Sequence, residues 1–265
     1  MSKMKILAIS DIEGRMFKGL KGFCKRNKVD AIISAGDFST SCTKMVFDNW
    51  ELLGNWTNEN RKKFDKKYGF AQANKKIKKS HDQGIKVLKM LNSLDIPVYV
   101  ILGNQDYVDK QRSGKSFRKK DFIKLGSQLP YIRKMKNVHY VHNKSRKLGD
   151  YRVVGKSTGY STGGRHFSKR PIILVTHTPA YGTRFGRVKN KASPRNGEQV
   201  GSEEVRFLID SYEPFLHICG HMHEHWGKTR VGKTISIASG FGFRGQATLI
   251  ELNGKKVKTK LVRIR

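Results

Sequence analysis

The sequence predicts an α/β layered fold, in which short buried strands alternate with amphipathic helices. Two observations support this prediction. An apolar run at 5–10 is followed by apolar residues at helical spacing over 17–27 and by a second apolar run at 29–35. Towards the other end, strand-like runs from 215 to 264 follow one another without an intervening helix, which indicates a second, mixed sheet.

The remaining elements follow in chain order. A helix at 83–94 and a strand at 96–102 complete the first half. The second half contains a basic helix near 117–128, strands at 137–142, 151–155 and 171–176, polar loops at 157–166 and 178–198, and a helix at 202–211 that Ser202 caps. Four final strands are predicted at 215–219, 234–238, 247–252 and 256–264.

Residues 38–80 interrupt this alternation and are too long for a plain loop. They contain aromatic residues among many lysines, namely Trp50, Trp56, Phe64, Tyr68 and Phe70. We therefore predict a basic, helical insertion or lid at about 38–80. No linker and no internal repeat divides the chain, so residues 1–265 are predicted to form a single domain.

Composition limits the class of protein. No run of 18 apolar residues occurs, which argues against a membrane span, and the first ten residues have the pattern of a strand rather than of a signal peptide. The cysteines, Cys24, Cys42 and Cys219, are scattered and form no CxxC motif. We therefore expect reduced thiols, a cytoplasmic location, no membrane association and no thiolate zinc site.

The charge distribution is uneven. The formal net charge is +33, and residues 107–170 carry 18 basic and 3 acidic side chains. Such an excess attracts polyanions. The region 107–170 is therefore a candidate surface for nucleic acid or another polyanion, although a solvated, lysine-rich surface explains the same composition equally well.

Polar groups follow five of the predicted strands. In chain order they are Asp11-Ile12-Glu13, Gly36-Asp37, Gly103-Asn104-Gln105-Asp106, His177 and Gly220-His221-Met222-His223. Each group alone is weak evidence, since an aspartate at a strand end is usually a turn residue. Together they supply carboxylate, amide and imidazole ligands without a thiolate, a set that suits Mn, Fe or Zn.

The order of these motifs resembles the signature of calcineurin-like metallophosphoesterases, which is Asp-x-His, Gly-Asp, Gly-Asn-His-Asp/Glu, His and Gly-His-x-His. The segment 239–245 and the strand that ends at Leu252 are also similar to the closing segment of that family, so the resemblance spans roughly residues 5 to 252. It implies a four-layer α/β/β/α sandwich of two mixed sheets, with a two-metal centre at the strand ends.

The resemblance also implies a role for each residue. Asp11, Glu13 and His223 would hold one metal, Asn104, His177 and His221 the other, and Asp37 would bridge both. A hydroxide between the metals would attack phosphorus in line. The implied activity is metal-dependent hydrolysis of a phosphate ester, by a phosphodiesterase or a phosphatase, with two divalent ions. Mn²⁺ is the favoured ion, and Fe, Zn and Mg are the alternatives.

Two positions depart from the family pattern. Glu13 replaces a histidine, and its extra negative charge favours a harder ion such as Mn or Mg over Zn. Gln105 replaces the histidine that is thought to protonate the leaving group. Glutamine donates a hydrogen bond but no proton, and loss of general-acid help costs about 10²–10⁴ in rate. Asn104, Gln105 and Asp106 form the candidate catalytic group.

Three interpretations remain open at this stage. The first is a phosphodiesterase or nuclease-like enzyme, and the second is a phosphatase for small molecules. The third is a catalytically weak or inactive module that binds nucleic acid or a protein partner. All seven predicted ligand positions keep metal-competent side chains, which favours an enzyme. His81, His166 or His225 could replace the missing imidazole, or could be ordinary surface histidines.

Overall fold

The computed structural model describes residues 3–40, 57–106, 128–156, 171–254 and 256–265. The described residues form twelve strands: β1 (Met4–Ile9), β2 (Ala31–Ser34), β3 (Val98–Val100), β4 (Val138–Tyr140), β5 (Ser145–Leu148), β6 (Tyr151–Lys156), β7 (Ile172–Thr176), β8 (Leu216–Cys219), β9 (Trp226–Val231), β10 (Thr234–Ser239), β11 (Gln246–Asn253) and β12 (Lys256–Arg263). They also form five α-helices: α1 (Leu20–Asn27), α2 (Asn58–Tyr68), α3 (Phe70–Asn92), α4 (Leu129–Arg133) and α5 (Glu203–Tyr212).

The strands form two mixed six-stranded sheets. The first has the order β12-β11-β1-β2-β3-β4, in which β1 to β4 run parallel and β11 and β12 are antiparallel to their neighbours. The second has the order β5-β6-β7-β8-β10-β9, with a parallel centre and antiparallel strands at both edges. The prediction of two mixed sheets is therefore confirmed.

Apolar side chains divide the molecule into four layers. One core lies between the sheets, where Ile6 and Ile33 of the first sheet and Val153 and Ile218 of the second belong to the same buried cluster. A second core joins the outer face of the first sheet to α1, α3 and α4. A third joins the second sheet to α5. These cores confirm the α/β/β/α sandwich, because each sheet buries both faces.

Helix α3 corrects the predicted start of the helix at 83–94. The predicted start at Gln83 is wrong, because α3 is a continuous helix of 23 residues from Phe70. It crosses the end of the predicted insertion at residue 80, and Gly69, with a φ of 69°, separates it from α2. Residues 41–56 of that insertion lie outside the described residues.

The start of α3 was missed because polar and small residues occupy its buried stripe. Ser80, His81 and Gly84 lie on the same buried face as Ala73 and Leu88. The face is buried although several of its residues are polar or small, so the apolar periodicity that predicts a helix is weak there. Strands β5 and β9 were not predicted either. Both are edge strands with several charged residues, which weakens the alternation of apolar and polar positions.

Other predicted elements can be placed. The helix at 202–211 is confirmed as α5, and the Ser202 hydroxyl accepts a hydrogen bond from the backbone N–H of Val205 at 3.2 Å. Apart from residue 128, the predicted basic helix at 117–128 lies outside the described residues, as does the loop at 157–166. None of the described helices combines the length and apolar character needed to cross a membrane.

Candidate metal centre

The predicted ligands converge at one end of the sandwich. Loops after β1, β2 and β3 carry the groups from the first sheet, and loops after β7 and β8 carry those from the second. Because the carboxyl ends of parallel strands share one edge of a sheet, residues far apart in sequence meet there. The set brought together is Asp11, Glu13, Asp37, Asn104, His177, His221 and His223.

One half of the centre surrounds the side-chain oxygen of Asn104. This Oδ1 lies 2.6 Å from Nε2 of His177 and 2.8 Å from Nδ1 of His221. The two imidazole nitrogens are 3.2 Å apart. An oxygen of Asp37 lies 3.3 Å from the same Nε2 of His177. Four donor groups from both sheets therefore point at one small volume.

The other half lies around His223. Its Nε2 is 3.3 Å from an oxygen of Asp11 and 3.4 Å from an oxygen of Glu13. The backbone N–H of His221 donates to both oxygens of Asp11, at 3.1 and 3.0 Å, so Asp11 lies between the two halves. Ligand atoms of Asp11, Asp37 and His177 all lie within 4.8 Å of one another, which joins the halves into one cluster.

The backbone of this cluster is strained. Positive φ angles occur at Asp11 (53°), Glu13 (48°), Asp37 (57°) and His221 (70°). Left-handed backbone is uncommon outside glycine, and it is concentrated at functional sites where the surrounding structure enforces it. The packing and hydrogen bonds of the rest of the fold must therefore compensate for the strain in the ligand loops.

Two glycines let the loops approach one another. A Cβ atom at Gly103 would collide with the carboxylate of Asp37 and would lie 2.7 Å from the ring of His177. A Cβ atom at Gly220 would collide with the hydroxyl of Ser10 and would lie 2.5 Å from the carboxylate of Asp11. Glycine at these positions is thus a steric requirement of the centre.

Burial and charge shift the pKa values of the cluster in opposite directions. Burial lowers the pKa of His177, but Asp37, Asp11 and the Ala35 carbonyl together outweigh this effect and raise the pKa to about 9. Burial, followed by the positive charge of His177, lowers the pKa of His221 to about 4. Burial raises the pKa of Glu13 to about 7, against the opposing effect of His223. Strongly shifted pKa values of this kind are typical of functional sites.

The hydrogen-bond chemistry of His177 tests whether a metal fits. Its Nδ1 lies 2.7 Å from the carbonyl oxygen of Ala35, which only accepts, so Nδ1 carries a proton. Nε2 points at Asn104 Oδ1 and at an oxygen of Asp37, both of which are acceptors, and the raised pKa of His177 means that Nε2 holds a proton when no metal is bound. A metal ion would occupy the place of this proton, and a carbonyl behind the ligating ring is the usual support of a metal-binding histidine.

The backbone of Gln105 is fixed next to this group, since its N–H donates to an oxygen of Asp37 at 2.7 Å. The described histidines that were considered as substitutes for the missing imidazole contact other groups. His81 is buried in α3 against Tyr131, and Nε2 of His225 donates to the Arg187 carbonyl at 2.6 Å. His166 lies outside the described residues.

Asp106 holds two ligand loops together. One of its oxygens accepts the N–H groups of Asp37 and Gly103, at 2.9 and 3.0 Å. The other accepts those of Phe38 and Ser39, also at 2.9 and 3.0 Å. The side chain is 2% exposed. These four bonds fix the loops that carry Asp37 and Asn104, which defines a positioning role that sequence reasoning could not assign.

Sequence reasoning missed two residues of the site. The hydroxyl of Ser10 donates to Asp11 and lies 2.6 Å from the hydroxyl of Ser239. The ring of Phe241 stacks on His223 with 3.9 Å between centroids and an interplanar angle of 8°. The signal for both was position, because Ser10 directly precedes the first ligand and Phe241 lies in the glycine-rich closing segment.

Solved structures resemble this fold over its whole length. One crystal structure is 19% identical, covers 100% of both chains and has a TM-score of 0.68. TT1561 of Thermus thermophilus is 16% identical, with a TM-score of 0.55 and coverage of 99% of this chain and 100% of its own. Purple acid phosphatase PPD1 from yellow lupin (Lupinus luteus) seeds is 13% identical, with a TM-score of 0.54 and coverage of 99% and 52%. At these identities the similarity shows the fold alone.

The family is shown by sequence. No curated protein matches the chain significantly. A family model described as calcineurin-like phosphoesterase, however, matches residues 4–225, which include all seven residues of the cluster. The resemblance inferred from the motifs is thereby confirmed. The protein belongs to the calcineurin-like phosphoesterase family and is a phosphoester hydrolase.

Proposed function

We propose that the protein hydrolyses phosphodiesters at a centre of two divalent metal ions, with Mn²⁺ as the native ion. The observation that carries the proposal is the arrangement at His177. The Ala35 carbonyl fixes its Nδ1 proton, so Nε2 is directed at the oxygens of Asn104 and Asp37. Without a metal ion, a proton on Nε2 joins these groups, because the pKa of His177 is raised to about 9; a metal ion that displaced this proton would have all three groups as ligands.

The proposed division of ligands follows the two halves of the cluster. Asn104, His177 and His221 would hold one ion, and Asp11, Glu13 and His223 the other. Asp37 would serve both, since a carboxylate has two oxygens and its neighbours belong to both halves. The half of the centre around Glu13 offers two carboxylates, and carboxylate oxygens suit Mn²⁺ better than Zn²⁺.

When bound, the two ions would activate water as the nucleophile and neutralise charge on the phosphoryl oxygens. The residues of the chain orient the groups around them. The Ala35 carbonyl fixes the ring of His177, and the stacked ring of Phe241 fixes that of His223. The Gln105 amide donates a hydrogen bond but cannot protonate a leaving group. Esters with stable leaving groups should therefore react best.

The charge of the protein supports an anionic substrate with more than one phosphate. The net charge of +33 favours the approach of polyanions, and we propose nucleic acid as a partner of the basic region 107–170. Residues 107–127 and 157–170 of that region lie outside the described residues. Cys24 and Cys219 are free, buried thiols, which supports the proposal of a cytoplasmic location.

The test is hydrolysis of bis-p-nitrophenyl phosphate beside p-nitrophenyl phosphate, with Mn²⁺ and with a chelator. We expect Mn-dependent turnover, faster on the diester. His221→Ala should abolish turnover and stoichiometric metal binding. A matched control is His139→Ala, since His139 contacts the ring of Tyr99 on the neighbouring strand and is not a member of the cluster.

The outcomes separate the proposed functions. Faster turnover of the monoester would mean that the protein is a phosphatase and not a phosphodiesterase. Bound metal without turnover of either ester would mean that Gln105 marks a retired catalyst, and binding of a partner would become the proposal. Equal activity of His221→Ala and wild type would show that the cluster is not the active site.

A further inference from the structure

The loop at 240–245 between β10 and β11, called the closing loop below, places aromatic rings beside the metal centre. The first ring is that of His223, which stacks on Phe241. The second neighbour of Phe241 is Phe243, with 5.7 Å between ring centroids and an angle of 32° between planes. The ring of Phe241 therefore contacts both the ligand His223 and the ring of Phe243.

The backbone of Phe243 is held by the first ligand loop. Its N–H donates to the carbonyl of Asp11 at 2.8 Å, and its own carbonyl accepts from the guanidinium of Arg15 at 2.6 Å. Gly242 packs so closely on Ser10 that a Cβ atom would collide with the Ser10 carbonyl. These contacts hold the loop against Asp11.

Phe243 is nevertheless 47% exposed. An exposed aromatic side chain gives up the stabilisation that burial would provide. Phe243 does so on a loop that is hydrogen-bonded to the first ligand loop, which indicates an interaction site. Because the backbone is already fixed and the side chain has two torsions, a flat ligand can stack on this ring at a low entropic cost.

Two guanidinium groups accompany the rings. Arg15 bonds to the carbonyl of Phe243, and the guanidinium carbon of Arg244 lies 5.8 Å from the centroid of Phe241. The surface therefore combines an exposed aromatic residue with positive charge. A purely apolar partner would gain nothing from the arginines, and an inorganic phosphate would gain nothing from the ring. A phosphate ester that carries a planar base uses both.

We propose that Phe243 is a base-stacking residue and that the substrate is a phosphoester of a nucleoside, whose base lies on the Phe243 ring while its phosphate lies at the metal centre. The inference rests on the proposed function, since it names the substrate class of the same site. It is independent of the basic region 107–170, because Phe243, Arg15 and Arg244 all lie outside it.

Equilibrium binding tests the stacking without turnover. Titration calorimetry of the Mn-loaded protein would compare adenosine monophosphate with ribose 5-phosphate, which has the same phosphate and sugar but no base. We expect the nucleotide to bind at least about tenfold more tightly, the ratio that base stacking on an aromatic side chain supports. Phe243→Leu, which keeps an apolar side chain but removes the π face, should reduce the ratio to near one.

Phe207→Leu is the matched control, because Phe207 is 64% exposed on α5 and distant in sequence from the closing loop. It should preserve the ratio of affinities. The proposal is overturned if wild type binds both ligands equally, or if Phe243→Leu keeps the wild-type ratio.

Kinetics give a second readout. Thymidine 5′-(p-nitrophenyl phosphate) and methyl p-nitrophenyl phosphate share a leaving group and differ in the nucleoside. The ratio of their kcat/KM values should fall about tenfold in Phe243→Leu and stay at the wild-type value in Phe243→Tyr and Phe207→Leu. An unchanged ratio in Phe243→Leu would refute the stacking, while turnover of the methyl ester would leave the proposed function intact. If neither ester is hydrolysed, the proposed function fails, and the binding ratio still decides whether Phe243 stacks on a base.

Discussion

The positioning role of Asp106 makes the sharpest prediction about stability. The change is Asp106→Asn, which preserves size and shape and replaces one carboxylate oxygen by an NH₂ group. In the wild type each oxygen accepts two backbone N–H groups, from Asp37 and Gly103 on one side and from Phe38 and Ser39 on the other. Whichever way the amide turns, two buried N–H groups lose their acceptor and face a donor.

The size of the effect follows from that geometry. An unsatisfied buried donor costs about 1–3 kcal/mol, so two donors cost about 2–6 kcal/mol in the free energy of unfolding. This is a large share of the total of about 5–15 kcal/mol that is usual for a folded protein. The same loops carry Asp37 and Asn104, so we also expect metal affinity to fall about 10–100-fold.

Urea denaturation followed by circular dichroism, in the presence of a chelator and near pH 8, measures the stability without a contribution from metal. The control is Asp210→Asn on α5, where a carboxylate that is 50% exposed pairs with Arg206 at 2.7 Å. That exposed pair is worth about 0.3–0.5 kcal/mol. If Asp106→Asn lost less than about 1 kcal/mol, the four hydrogen bonds would not hold the loops, and Asp106 would return to the candidate catalytic group.

Three further predictions concern the centre itself. Gln105→His should raise kcat for esters with poor leaving groups about 10²-fold, and much less for nitrophenyl esters, because it restores a general acid; an equal change for both kinds of ester would contradict the missing-acid interpretation. Gly103→Ala should weaken metal binding about 10–100-fold in calorimetry, because its Cβ atom would collide with Asp37, whereas Gly22→Ala on α1 should leave the affinity as it is. The chelated protein should lose stability as the pH rises from 4.5 to about 7, because unfolded Glu13 releases its proton near 4.5 and folded Glu13 near 7. Denaturation at several pH values should show this loss reduced in Glu13→Gln, and identical slopes in the two proteins would disprove the assignment.

Much of the fold could be predicted from local pattern. The buried central strands are almost wholly apolar, and α5 has both its apolar face and the Ser202 cap in the sequence. The limits of α3 could not be predicted, because Ser80 and His81 are buried against residues that are distant in the sequence. Strand β9 was missed for a different reason, because it is an edge strand whose charged residues weaken the alternation of apolar and polar positions.

The sequence by itself determined which residues are able to bind metal and in which order they follow the strands. Carboxylate, amide and imidazole groups at consecutive strand ends are properties of the chain, and so is the glutamine at 105. The tertiary structure decided how they meet. Only the docking of two sheets brings Asn104 within hydrogen-bonding distance of His177 and His221, residues 73 and 117 positions away. The role of Asp106 and the exposed ring of Phe243 likewise depend on contacts between distant loops, and such contacts have no periodicity along the sequence.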